Sequence, residues 1–225
     1  MIYSNYKVFF VFLFGLLISY NSLCQAPNIE WQKTYGGSED DGGASIIPTS
    51  DGNFVAIGYS RSNDGDITFH HSSATIADLW LVKIDSIGNI IWNRSLGGSS
   101  GEEGFSILQT FDEGFILLGY ASSTDYDVSG LHGSRDDAWV VKTDSIGQIE
   151  WQRCFGTSQT DRGYQIKETP DSGFIFLAKV SGNDGDVNDL HNYDDLWVVK
   201  INRLGLIRWR KCLGGGNYDT PGSII

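Results

Sequence analysis

Asp137-Ala-Trp-Val-Val-Lys-Thr-Asp-Ser-Ile-Gly-Gln-Ile-Glu-Trp-Gln-Arg153 is the stretch whose reading decides the fold. Its first part is an apolar run ending in lysine, matched by Asp78–Lys83 and Asp195–Lys200. In those copies Trp80, Leu81 and Val82, or Trp197, Val198 and Val199, put apolar side chains on both faces of a strand, as in a strand covered by sheets on both sides. The last part alternates, so that Ile149, Trp151, Arg153 and Phe155 share one face. Between them, Asp144-Ser-Ile-Gly147-Gln148 reads as a hairpin turn, with glycine supplying positive φ and the aspartate accepting backbone N–H groups. Asp85-Ser-Ile-Gly88-Asn89 and Asn202-Arg-Leu-Gly205-Leu206 repeat it.

Outward from this stretch the pattern recurs along most of the 225 residues. The alternating strand is headed by Trp31, Trp92, Trp151 and Trp209, at steps of 61, 59 and 58 residues. Trp80, Trp139 and Trp197 keep the same register. A unit of about sixty residues with short strands and no helical period predicts stacked β units covering one another's apolar faces. In the first unit the expected strands are 54–60, 79–85, 90–96 and 105–110, and Ile29, Trp31, Lys33 and Tyr35 are read as one face of an opening strand. The expected fold class is all-β: β-propeller-type repeats of four antiparallel strands, with three complete blades and part of a fourth, hence an incomplete ring. Unit boundaries fall at about 29–89, 90–148, 149–206 and 207–225. Because Asp219–Ile225 matches Asp41–Ile47, the chain reads as the N-terminal part of a longer frame.

Residues 1–24 read as a signal peptide, with Lys7 before the apolar run Val8–Ile18 and cleavage expected before Gln25. A lipoprotein reading of Cys24 is disfavoured by the bulky Leu23. The run is short for a membrane span and nothing later approaches twenty apolar residues, so an exported mature chain without a membrane span is expected. Loss of the leader removes one of 16 basic residues and none of 28 acidic ones, leaving a net charge near −13. A field of that sign repels phosphate backbones, which argues against nucleic-acid partners. Extracellular glycans, proteins and divalent cations remain open as ligands. Cys154 and Cys212 read as buried free thiols, with a disulfide between neighbouring units as the alternative.

The long connections 61–77, 122–136 and 181–194 are where function is sought. Each carries a carboxylate pair: Asp64 and Asp66, Asp125 and Asp127, Asp184 and Asp186. Alternating carboxylates around a glycine suit Ca²⁺, and the same residues also build turns by accepting backbone N–H groups. Tyr126 replaces the glycine in the second loop, and a bulky residue is expected to refuse the positive φ that Gly65 and Gly185 supply. His71, His132 and His191 recur five residues after the second aspartate and read as structural, because repetition supplies equal groups where catalysis needs one asymmetric set. Asp41, Glu102, Asp161 and Asp219 each follow the heading tryptophan by ten residues and read as caps on the turn after the glycine pair. No nucleophile elbow, phosphate loop or zinc-protease helix motif is present.

Ile29–Ser38, Thr49–Phe54, Gly58–Ser60, Asn63–Asp66 and Asp78–Lys83 together resemble the tandem repeats of large secreted Gram-negative bacterial proteins that end in a type IX secretion sorting domain. The chain departs from that pattern in showing no sorting domain. The Asp85…Gly88…Trp92 and Asp144…Gly147…Trp151 spacings are similar to the tryptophan-docking signature of quinoprotein-type propellers. That resemblance implies that each such tryptophan locks one blade to the next. The expected function is a secreted or cell-surface, non-catalytic repeat module for binding, adhesion or scaffolding, with a carbohydrate-active enzyme or lectin as the alternative. Exposed aromatics beside the loops, Tyr59, Tyr120 and Tyr126, would serve a lectin.

Overall fold

The computed structural model describes residues 27–71 and 75–224. The signal-peptide reading of 1–24, with its cleavage site and Cys24, lies outside the described residues. The unit that begins at Trp31 is all-β, and among the described residues it contains no helix.

Twelve strands form three antiparallel sheets, each ordered as in the chain. The first contains β1 (Asp41–Pro48), β2 (Phe54–Ser60), β3 (Asp78–Ile84) and β4 (Ile90–Leu96). The second contains β5 (Glu102–Gln109), β6 (Phe115–Ala121), β7 (Asp137–Thr143) and β8 (Ile149–Phe155). The third contains β9 (Arg162–Glu168), β10 (Phe174–Val180), β11 (Asp195–Ile201) and β12 (Ile207–Leu213). Successive first strands approach each other, β1 to β5 and β5 to β9, whereas the fourth strands make no comparable contact. The sheets therefore converge along one edge and splay along the other, as blades do.

Two features correct the sequence reading. The strand expected over 105–110 is part of β5 and opens the second sheet, so the alternating tryptophan strand closes each sheet. The segment from Trp31 to Tyr35 is not in a ladder. β4, β8 and β12 pair with the apolar strand that precedes each of them in sequence, and no described strand stands in that place beside Trp31.

The middle sheet shows why its strands are apolar on both faces. Phe115, Leu117, Trp139 and Val141 pack with Val55, Ile57, Leu79 and Leu81 of the first sheet. The alternate residues Ile116, Leu118, Ala138 and Val140, with Phe155 of the same sheet, pack with Ile166, Phe174 and Phe176 of the third. Every residue of β7 is buried, while in β11 burial alternates and Leu196 and Val198 remain half-buried. Two cores, each sealed by the period-2 alternation of the strands, hold the three sheets together.

Candidate functional site

The recurring polar residues gather where one sheet meets the next. After β8 the chain turns at Gly156-Thr157-Ser158, and Asp161 caps that turn by accepting from Thr157 N at 2.5 Å and Thr157 Oγ1 at 2.7 Å. Glu102 and Asp219 do the same, accepting from Gly98 N at 2.9 Å and Gly215 N at 2.8 Å, and Asp41 accepts from Gly37 N at 2.7 Å. The second oxygen reaches the following loop, where Ser123 N donates to Glu102 and Ser181 N to Asp161. Burial pushes Glu102 up to about 7 and Asp161 up to about 6. Asp41 is more open; burial acts against it, and its bonds from Ser60, Gly37 and Ser62 outweigh that and hold it below the usual range.

The six loop aspartates clasp the same turns from the other side. Asp64, Asp125 and Asp184 each accept from a backbone N–H, of Ser38, Ser99 and Ser158 respectively, all at 2.8 Å. Asp66, Asp127 and Asp186 accept from Gly36, Gly97 and Gly156, whose carbonyls in turn accept the N–H of the same three aspartates. Each pair thus fastens its loop to the glycine turn that precedes its own sheet. These are bonds of the turn-building kind, and among the described residues no group of three or more His, Cys, Asp or Glu that could hold a metal ion is found. Tyr126 departs from expectation: it takes φ of 51°, alongside 63° at Gly65 and 55° at Gly185. The reciprocal bond pair with Gly97 over-determines the loop and forces Tyr126 into the left-handed region.

The three histidines join this network. His71, His132 and His191 bond through Nδ1 to Asp78, Asp137 and Asp195 at 2.9, 2.6 and 2.8 Å. Nε2 of His71 lies 3.3 Å from Asp127, and Nε2 of His132 lies 3.4 Å from Asp186, so each bridges a buried carboxylate of one sheet to the loop of the next. The bond to Asp137 raises the His132 pKa, and burial raises that of Asp137, whose Oδ1 has no hydrogen-bond partner.

At the opposite end, the heading tryptophans dock on the hairpin turns. Trp31 Nε1 donates to Ser86 O at 3.0 Å and Tyr35 Oη to Gly88 O at 2.8 Å. A Cβ on Gly88, Gly147 or Gly205 would stand 2.9 to 3.0 Å from Trp31, Trp92 or Trp151, so only glycine lets the ring seat there. The turn acids behave as read, with Asp85, Asp144 and Asn202 each accepting two backbone N–H groups.

One recurring element was missed in the sequence. Lys83, Lys142 and Lys200 pair with Asp51, Asp112 and Asp171 at 2.6, 3.1 and 2.8 Å, joining the third strand of each sheet to its first turn. Lys83 beside Asp51 and Lys200 beside Asp171 hold those carboxyls well below the usual range. The signal was there, because an aspartate three residues before a phenylalanine, at 51, 112 and 171, recurs together with the lysine. Cys154 and Cys212 are free and buried, and burial pushes Cys212 up to about 12.

One junction breaks the repeat. Between the second and third sheets lies a cleft of about 320 Å³ lined by Phe111, Asp112, Glu150, Trp151, Glu168 and Arg203 among others. Glu168 accepts from Phe111 N at 3.2 Å and burial raises its pKa. At the equivalent places in the first junction stand Ser50, Asp51, Ile91, Trp92, Gln109 and Ser145, so Glu150, Glu168 and Arg203 are particular to this cleft.

The fold and its junctions define a propeller-type β repeat protein. Comparison with known protein families and with curated proteins returns no match.

Proposed function

We propose that the chain is a non-catalytic, propeller-type repeat module of an exported protein, serving binding, adhesion or scaffolding at the cell surface. One observation carries this reading: the capping acids, loop aspartates and ring-bonded histidines recur at successive junctions and are engaged in bonds that hold turns and sheets. Repetition of this kind builds a rigid surface rather than one reacting centre. The resemblance to secreted repeats supports an exported location, with type IX secretion as the route. Protease treatment of intact cells that removes the protein, while cytoplasmic controls survive, is the expected result; full protection would count against a surface role.

The lectin reading is favoured by the irregular cleft, where Phe111 and Trp151 offer ring surface and Glu150, Glu168 and Arg203 offer hydrogen bonds to hydroxyl groups. A glycan array with the full chain tests it. Phe111 is exposed, so Phe111→Ala should remove glycan binding without unfolding. Turnover of a glycoside panel that disappears in Glu168→Gln would instead make the cleft a hydrolase site.

A further inference from the structure

The first strand of each sheet carries one residue that the ladder leaves out. In β1, β5 and β9 the pairing skips Ala44, Phe105 and Tyr164, each directly after a glycine. In the second and third sheets the glycine explains where the bulge falls. A Cβ on Gly104 would stand 2.4 Å from Ile57 Cδ1, and one on Gly163 2.3 Å from Leu118 Cδ1, so the strand presses on the sheet before it with no room for a side chain. The bulge then re-aims the residue that follows. Phe105 and Tyr164 belong to none of the apolar cores; Phe105 is half-buried and Tyr164 is 36% exposed. Their rings lie side by side, with 6.4 Å between centroids and 31° between planes. The matching residues elsewhere are Ala44 and Gly222, so this ring pair breaks the repeat where the capping acids and histidines keep it. Beside the pair, buried Tyr120 lies 6.0 Å from Phe105 and stands opposite Glu103 in the ladder. The Arg162 guanidinium sits 4.2 Å from the Tyr120 ring and bonds Asp136 through Nε at 2.8 Å.

We propose that Phe105 and Tyr164 form a stacking platform for a neutral glycan, at a site separate from the cleft beside Phe111. The ligand class follows from the surroundings. Two re-aimed rings offer faces to the flat, apolar C–H side of a pyranose. Arg162 supplies donors next to them, and Glu103 and Asp136 supply acceptors, which suits hydroxyl groups that both donate and accept. A purely apolar ligand would strip water from Glu103 and from the Arg162–Asp136 pair and return nothing, whereas hydroxyls replace that water. An anionic polysaccharide is repelled by a chain with 28 acidic and 16 basic residues. The proposal rests on the reading of the chain as a binding module and gives it a ligand class and a place. Tyr120, counted among the exposed aromatics in the sequence, backs the platform from a buried position and does not itself present a face.

The probes are hydroxyethylcellulose, laminarin, galactomannan and arabinoxylan, cast singly into native gels, with polygalacturonate as the anionic control. The full chain should be retarded by at least one of the neutral polymers and not by the control. Phe105→Ala and Tyr164→Ala should each weaken the retardation severalfold, and the double variant should lose it. Tyr164→Phe should keep it, because the ring face remains. Both side chains lie outside the cores, so melting temperatures should stay close to that of the parent chain. Leucine at both positions keeps apolar bulk without a ring face, and should abolish retardation even if the double alanine variant folds poorly. No retardation by any neutral polymer, or retardation unchanged in the double leucine variant, would overturn the proposal and leave the scaffolding reading standing. Retardation lost in Phe111→Ala but kept in the double variants would place the glycan in the cleft, which sustains the lectin reading and overturns this one.

Discussion

Trp139 is fully buried between two sheets, and its indole N–H is satisfied by Gln152 Oε1 at 2.8 Å. Trp209 is 49% exposed on the last sheet. Trp139→Ala should therefore cost about 3–5 kcal/mol and Trp209→Ala under about 1 kcal/mol, since only the first leaves a closed cavity. Urea melts of the two variants separate these outcomes, and equal losses would contradict the packing. Tyr126 is the other informative residue, held at φ of 51° with its ring largely exposed. Relieving a left-handed conformation is worth about 1 kcal/mol or more in a residue with a Cβ. Tyr126→Gly should raise stability, and a loss instead would mean that its ring contact with His71, 5.3 Å between centroids, outweighs the strain.

At the scale of the junction elements, the buried capping acids set a pH dependence. Glu102 and Asp161 have folded pKa values near 7 and 6, above their usual 4.5 and 3.8. Between the ordinary and raised values the folded chain binds more protons than the unfolded one, so stability falls as pH rises through that window. His132, also raised, adds stability that is lost as pH climbs past its folded pKa. The melting temperature should be higher near pH 5 than near pH 7.5, and Glu102→Gln should flatten the slope; an unchanged slope would show that Glu102 ionises normally. The loops give a second test. If Asp184 and Asp186 act as clasps on Gly156 and Ser158, replacing both with alanine should lower the melting temperature equally with Ca²⁺ or with chelator. A Ca²⁺-dependent rise that shrinks in this variant would make them metal ligands instead.

For the whole molecule, the open faces govern behaviour in solution. Leu196 and Val198 are half-buried and Trp209 and Leu213 exposed on one side of the third sheet, an apolar surface whose counterpart in the second sheet is covered on both faces. Concentration-dependent association should appear in sedimentation velocity, weakened by Val198→Lys. A strictly monomeric chain at all concentrations would show that this face is protected.

The sequence by itself determined the β class, the sixty-residue period, the hairpin turns with their acid and glycine, the capping acids and the docking tryptophans. These are short-range or periodic features, fixed by turn chemistry and by the two-residue alternation of strands. Only the tertiary structure decided the phase of the repeat, because a period does not say where a sheet begins; β5 could close one sheet or open the next until its pairing with β6 was seen. The same holds for the Lys142–Asp112 pair, the bridge from His132 to Asp186 and the left-handed turn at Tyr126. Each depends on groups some thirty or more residues apart meeting across a ladder or a junction, and that proximity is a property of packing, not of local sequence.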